Sequence, residues 1–192
     1  MTTVCVYCGS SPGLDPVFAD SARAVGTLIG ARGWGLVYGG GRAGLMGVVA
    51  DAALAAGARV VGVIPQTLMA RELGHPGLHE LHVVETMHQR KTLMAERADA
   101  FLALPGGIGT FEELFEVWTW RQLGYHDKPI GLLDVAGYYG KLRAFLAEAV
   151  DHGFMRTAQQ DLLQVGDDPA ALLDRLGAEA ARATGPDDYR LT

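Results

Sequence analysis

Residues 105 to 113 read PGGIGTFEE, three glycines and a threonine running into Glu112 and Glu113 directly after the apolar run AFLAL at 100–104. Glycine lets main-chain N–H groups come close to a ligand. A helix starting near Thr110 would aim unpaired N–H groups and the positive end of its dipole at the same point, which suits an anion. A carboxylate one turn inside such a helix would repel a bound phosphate, unless it stabilises the helix or acts on another part of the same ligand. Both readings are open. T-x-x-E is a capping box, with Thr110 as the cap and Glu113 reaching back to it. A capping box does not call for three preceding glycines, however. The positive helix end also favours an ionised Glu113, the state required of a base, a nucleophile or a stabiliser of a developing cation.

A second cluster, Met87-His88-Gln89-Arg90-Lys91, should open a helix one strand earlier. Adjacent residues on a helix diverge by about 100°, so Arg90 and Lys91 reach one ligand together only at a helix end beside it. The plain alternative is a solvated charge pair. The chain has three lysines, Lys91, Lys128 and Lys141, and Lys91 is the one at the expected ligand end.

Two further glycine turns follow apolar runs, CGSS at 8–11 and YGGGRAG at 38–44. Gly39 to Gly44 satisfies G-x-G-x-x-G literally, but a dinucleotide fingerprint also wants an acid about 20 residues on, and VVGVIPQ at 60–66 has none. A mononucleotide phosphate cradle is favoured over NAD or FAD, with tight-turn glycines that touch nothing as the remaining alternative. G-x-x-x-x-G-K-[ST] does not occur, which argues against an NTPase. His75, His79, His82 and His88 lie near one another in sequence, but HELH is not H-E-x-x-H and no metal spacing emerges, so they read as surface or loop histidines. Cys5 and Cys8 lie in or beside an apolar strand, where positions three apart face opposite sides. They read as free thiols. Phe115, Trp118 and Trp120 read as packing residues, with base stacking the alternative.

The elements that must position these residues follow from periodicity. Val-, Leu- and Ile-rich runs alternate with stretches of helical period, the pattern of a parallel sheet covered on both faces. Strands are expected at 3–7, 35–38, 59–64, 82–84, 99–104 and 129–133, and helices at 16–31, 45–56, 86–97, 111–123, 138–152 and 169–182. The fold class is α/β, a Rossmann-like doubly wound parallel sheet. Residues 65–78 read as a long surface loop of the kind that serves as a lid, and the tail after Thr184 as frayed. In such sheets ligands sit at the carboxyl ends of the strands where the strand order reverses, so the three glycine turns are expected to share one crevice.

With 192 residues and 49% hydrophobic content, the chain suits one domain with one buried core. Sixteen basic against 22 acidic residues, net −6, oppose a large phosphate-tracking surface for duplex DNA, while local basic sites remain possible. MTTVCVYCGSSPG has no basic leader region and no stretch reaches the roughly 18 apolar residues of a membrane span. The expectation is a cytoplasmic protein with no membrane or nucleic-acid partner.

PGGIGTFEE after a strand, MHQRK upstream and YGGGRAGLMG nearer the start together closely resemble the Lonely Guy (LOG) family, over roughly residues 3–165. These are cytokinin riboside 5′-monophosphate phosphoribohydrolases with the hallmark PGGxGTxxE, and no motif position departs from it. Family members have often carried the label lysine decarboxylase, yet no lysine here has a recognisable pyridoxal phosphate setting. The resemblance implies hydrolysis of the N-glycosidic bond of an N6-modified adenosine 5′-monophosphate to free base and ribose 5-phosphate, without a cofactor or metal, in a homodimer. It carries catalytic roles onto Arg90 and Glu113. The candidate substrate site adds Ser10, Gly40, Gly41, Met87, Lys91, Gly106, Gly107, Ile108, Gly109 and Thr110, while Glu72 and Thr119 match further substrate-contact positions. A general purine nucleotide hydrolase and a non-catalytic carrier of the molybdenum-cofactor type remain as alternatives.

Overall fold

The computed structural model describes residues 1–69 and 73–183; Glu72 and the tail from 184 onward lie outside the described residues. Among the described residues one sheet contains β1 (Thr3–Tyr7), β2 (Gly35–Tyr38), β3 (Arg59–Pro65), β4 (Glu80–Val84), β5 (Ala100–Ala103), β6 (Ile130–Leu133) and β7 (Leu163–Gly166). All pairings are parallel, in the order β4-β3-β2-β1-β5-β6-β7. The helices are α1 (Pro16–Ala31), α2 (Gly44–Ala55), α3 (Met87–Glu96), α4 (Ile108–Leu123), α5 (Gly140–Asp151), α6 (Thr157–Gln160) and α7 (Pro169–Ala180).

The near-continuous apolar strands follow from burial on both sides. Val4 and Val6 of β1 join Leu36, Tyr38 and Leu102 beneath α1, α2 and α7. Cys5 and Tyr7 join Val37, Phe101 and Ile130 beneath α3, α4 and α5. The strand period of two sends alternate residues to opposite layers, and it separates the thiols: Cys5 lies in the second layer and Cys8 in the first. Trp118 and Trp120 are packing residues as expected, with Trp118 Nε1 donating to Gln159 O at 2.8 Å. Phe115 stacks on Trp118 at the surface.

Local chemistry sets the helix ends. Asp-Pro opens both α1 and α7, where Asp15 accepts from Val17 N and Asp168 from Ala171 N while the proline occupies a first-turn position that lacks an acceptor anyway. α1 and α2 approach closely because residue 26 has no side chain: a Cβ there would lie 2.4 Å from Val49 O.

The short helix α6 was not anticipated, and besides shifts of one or two residues at other element ends the following differences from expectation stand out. β7 was not anticipated, since LQVG is short, lies at the sheet edge and is half-buried over three of its four residues. β4 begins at Glu80, two residues early, and α4 at Ile108, three residues early. The last difference bears directly on the site.

The chain steps outward from β1 to β4 and then returns to β5 on the far side of β1. Loops leaving β1 and β5 therefore depart in opposite senses and open a crevice between them.

Candidate active site

The crevice is held open by backbone bonds between its walls. Gly9 N donates to Pro105 O at 3.1 Å, and Leu45 N, at the start of α2, donates to Gly9 O at 3.0 Å. Tyr139, whose buried hydroxyl has its pKa pushed up by loss of solvation, donates to Leu104 O, and Tyr138 donates to Gly106 O, each at 2.6 Å. The 105–107 turn is thus fixed from both sides.

One cavity of about 320 Å³ occupies this crevice. Its walls are Cys8, Gly9 and Ser10 after β1, Met46 of α2, and Met87 and Arg90 of α3. Gly107 to Thr110, Glu112 and Glu113 at the start of α4 complete it. A second cavity of about 300 Å³ adjoins it across Gly9, Ser10 and Gly107, and is lined further by Phe18, Leu45, Gly106 and Tyr138.

The beginning of α4 rules out the capping-box reading of Thr110 and Glu113. Gly107 is the N-cap, without a side-chain cap bond, and Phe111 N closes the first turn onto Gly107 O at 3.1 Å. Thr110 is therefore the third helical residue; its side chain is buried in the space beside Gly106, where a Cβ on Gly106 would lie 2.1 Å from Thr110 Oγ1. Glu113 falls at the sixth helical position, beyond the reach of a capping box, and on the cavity wall. The amides of Ile108, Gly109 and Thr110 precede the first amide with an intrahelical partner, that of Phe111, and these residues line that wall, so the positive helix end faces the cavity. The capping box of this region belongs to α3 instead: Thr86 Oγ1 accepts from Gln89 N, and Gln89 Oε1 accepts from Thr86 N.

Arg90, on the second turn of α3, is 5% exposed. Its Nε donates to Val63 O at 3.2 Å and its Nη2 to Gly39 O at 3.0 Å, so the ends of β2 and β3 fix the guanidinium plane beside the cavity. Gly39 makes room for it, because a Cβ there would lie 2.0 Å from Nη2. Cys8 contributes no thiolate to the cavity. Burial, reinforced by the negative charge of Glu113, pushes its pKa far up, and the same causes act on Cys5.

Several expected members of the site lie elsewhere. Lys91 points away from the cavity to α4, with Nζ 2.5 Å from Glu112 and 2.8 Å from Glu116. Burial works against its charge, but these two hydrogen bonds prevail and leave its pKa raised. Thr119 lies two turns past the cavity and donates to Phe115 O at 2.7 Å. Gly40 and Gly41 line neither cavity. Gly40 O accepts from His75 N at 2.9 Å, and Gly41 forms a bridge with Gly74. The second glycine turn thus backs the crevice and ties down the end of the 66–78 loop, so two of the three turns share the crevice. His75 lies beneath that tie, donating through Nε2 to Asp51 while its Nδ1 accepts from Gly77 N. Conversely, Gly39, Met46 and Glu112 were missed. The literal glycine pattern marked the turn at 39, but which of its glycines admits a side chain from α3 depends on a contact 51 residues away in sequence.

A family profile described as possible lysine decarboxylase matches residues 46–176. The probable cytokinin riboside 5′-monophosphate phosphoribohydrolase LOGL2 of Oryza sativa subsp. japonica is 49% identical over 173 residues, covering 90% of this chain and 71% of that protein. Cytokinin riboside 5′-monophosphate phosphoribohydrolase LOG1 of Arabidopsis thaliana is 50% identical over 160 residues, covering 83% and 75%. The chain belongs to the LOG family. Lysine chemistry finds no support at the LOG site, because Lys91 is paired with carboxylates, Lys128 is buried with Nζ donating to Ala95 O, and Lys141 lies on α5; none lines either cavity. The same fold occurs in the molybdenum cofactor binding protein of Rippkaea orientalis, with TM-score 0.70, 19% identity and 92% and 96% coverage. The Moco carrier protein of Chlamydomonas reinhardtii shares it too, with TM-score 0.71, 21% identity and 94% and 98% coverage.

Proposed function

We propose that this protein hydrolyses the N-glycosidic bond of adenosine 5′-monophosphates carrying an N6 substituent, releasing the free base, a cytokinin, and ribose 5-phosphate. The observation that carries the reading is the shared cavity of Arg90, Glu113 and the N-terminus of α4, in a chain about half identical to phosphoribohydrolases.

In this proposal the 5′-phosphate lies against the amides of Gly107, Ile108, Gly109 and Thr110, where four consecutive main-chain donors and the helix dipole favour a dianion. Ser10 faces the same space from the opposite wall. Glu113 meets the ribose, one turn further along. Departure of the base builds oxocarbenium character on the sugar, and a carboxylate there stabilises that charge and activates the incoming water or attacks the anomeric carbon itself. Arg90 orients the carboxylate and the sugar phosphate through a planar fork already held by two main-chain carbonyls, so little rearrangement accompanies the reaction. The amount of space matches the ligand: a few hundred Å³ is the usual range for a small-molecule site. The homodimer is also part of the proposal; the exposed groove along α3 and the edge strand β4, with Val83 at its rim, is the face to examine by light scattering. A cytoplasmic location completes it and is checked by cell fractionation. No helix among the described residues is long and apolar enough to cross a membrane.

The test is chromatographic. Parent protein and Glu113→Gln are incubated with AMP and with isopentenyladenosine 5′-monophosphate. Base and ribose 5-phosphate are expected from the parent alone, and the ratio of the two rates separates cytokinin release from general purine nucleotide hydrolysis. Nucleotide bound without any release would overturn the hydrolase reading in favour of a carrier. Equal turnover by Glu113→Gln would remove Glu113 from the chemistry.

A further inference from the structure

Lys91 stands next to Arg90 in sequence, yet the two side chains point to different places. Arg90 on α3 and both Glu112 and Glu113 on α4 line the cavity; Lys91 does not. The roughly 100° between successive helical residues turns Lys91 toward α4 when Arg90 faces the cavity. There its Nζ sits between Glu112 Oε1 at 2.5 Å and Glu116 Oε1 at 2.8 Å, with the lysine side chain 11% exposed and that of Glu116 19% exposed. Glu112 and Glu116 are one helical turn apart, so a single ammonium bridges both and joins the α3 helix to α4 directly beside the reacting groups.

We infer that Lys91 is a positioning residue: with Glu112 and Glu116 it forms an interhelical clamp that sets how far Glu113 stands from Arg90 and the sugar, and it does not bind the nucleotide. This rests on the proposed phosphoribohydrolase reading. Two physical consequences follow from the geometry. Because α3 and α4 are separate elements that approach one another over the carboxyl end of the sheet, a bridging cation removes a sliding freedom that would otherwise blur the Arg90 to Glu113 geometry. The clamp also compensates two of the three carboxylates of α4, of which Glu112, near the N-terminal end, would otherwise oppose a phosphate there. A lysine that bound phosphate would instead be expected to reach the cavity wall, and its removal would weaken binding.

The test is a double-mutant cycle with Lys91→Met, Glu116→Gln and the double variant, plus Lys91→Arg, read in kcat, in AMP affinity by calorimetry and in thermal melting. Lys91→Met is expected to lower kcat about tenfold or more, in keeping with the sensitivity of catalysis to small misplacement, while AMP affinity stays within roughly threefold. The double variant should be no slower than Lys91→Met alone, because both substitutions break one clamp. Lys91→Arg, which still spans two carboxylates, should recover most of the rate. A tenfold loss of AMP affinity with kcat at the parental value, or effects on kcat that multiply in the double variant, would overturn the assignment. Parent protein without any base release would refute the proposed function and not the clamp, which is then judged on the cycle in melting temperature and AMP affinity: additive effects in both would refute it.

Discussion

Gly39→Ala should disable the enzyme although residue 39 does not itself line the cavity. The added methyl would begin 2.0 Å from Arg90 Nη2 and 3.1 Å from Cζ, with Met46 Sδ at 3.3 Å behind it. Carbon and nitrogen atoms do not settle closer than about 3 Å, so the guanidinium must retreat by about 1 Å or the end of β2 must move. Retreat strains or breaks the bonds to Gly39 O at 3.0 Å and Val63 O at 3.2 Å that fix the fork. A hydrogen bond to a charged group contributes about 1.5–3 kcal/mol, which as lost transition-state stabilisation is roughly a ten- to 150-fold fall in kcat/KM. A 1 Å misplacement points to the same range, about 100-fold. The obstructing atom is the far end of a flexible side chain, so the melting temperature should fall less steeply than activity. Initial rates of base release at subsaturating AMP, beside circular-dichroism melts, measure both. Gly140→Ala is the control, since a Cβ at the start of α5 meets nothing within 4 Å, and parental rates are expected there. A Gly39→Ala rate within twofold of parent would refute the claim that Arg90 needs this seat.

The remaining predictions concern the same fork, the thiols and the sheet edge. Arg90→Lys should lower kcat/KM about 100-fold or more, because one ammonium cannot reproduce a planar fork held at two carbonyls; near-parental kcat/KM would exclude Arg90 from the mechanism. Cys5 and Cys8, buried and with raised pKa values, stay protonated at neutral pH, so native protein should show no iodoacetamide adduct at pH 8 and two adducts in urea by mass spectrometry. Labelling of the native state would contradict their burial. Glu80 has its pKa lowered from 4.5 to about 2 by its hydrogen bond to His82, then by that to Arg59. A depressed carboxylate stabilises the fold above its unfolded pKa and loses that contribution as pH falls. The parent should therefore lose its advantage over Glu80→Gln between pH 4.5 and about 2, measured as urea midpoints; a constant difference across that window would show that Glu80 is not linked to folding.

The family and the fold class were legible in the sequence because both rest on local pattern. Continuous apolar strands alternating with helical periods specify a covered parallel sheet whatever the loops do, and six of the strands appear at or within two residues of their expected places. The seventh, LQVG, was hidden by its shortness at a half-covered edge. Arg90 and Glu113 were legible through MHQRK and PGGIGTFEE, since residue type and spacing near a helix start limit what those side chains can reach.

What the sequence could not decide was direction and depth. T-x-x-E reads equally as a capping box or as a site, and only the start of α4 at Ile108, braced by Gly9, Tyr138 and Tyr139 from distant segments, moved Glu113 out of capping reach. Arg90 and Lys91 have similar local surroundings in sequence. Packing of α3 against β3 and α4 buried one beside the cavity and turned the other onto Glu112 and Glu116. Gly40 and Gly41 looked like ligand glycines, but the return of the 66–78 loop claimed their backbone. By itself the sequence determined the elements and the chemical groups on offer, because those depend on neighbours a few residues apart. The tertiary structure alone decided which groups face the crevice, because each such choice is made by a contact between segments tens of residues apart, where local propensity has no influence.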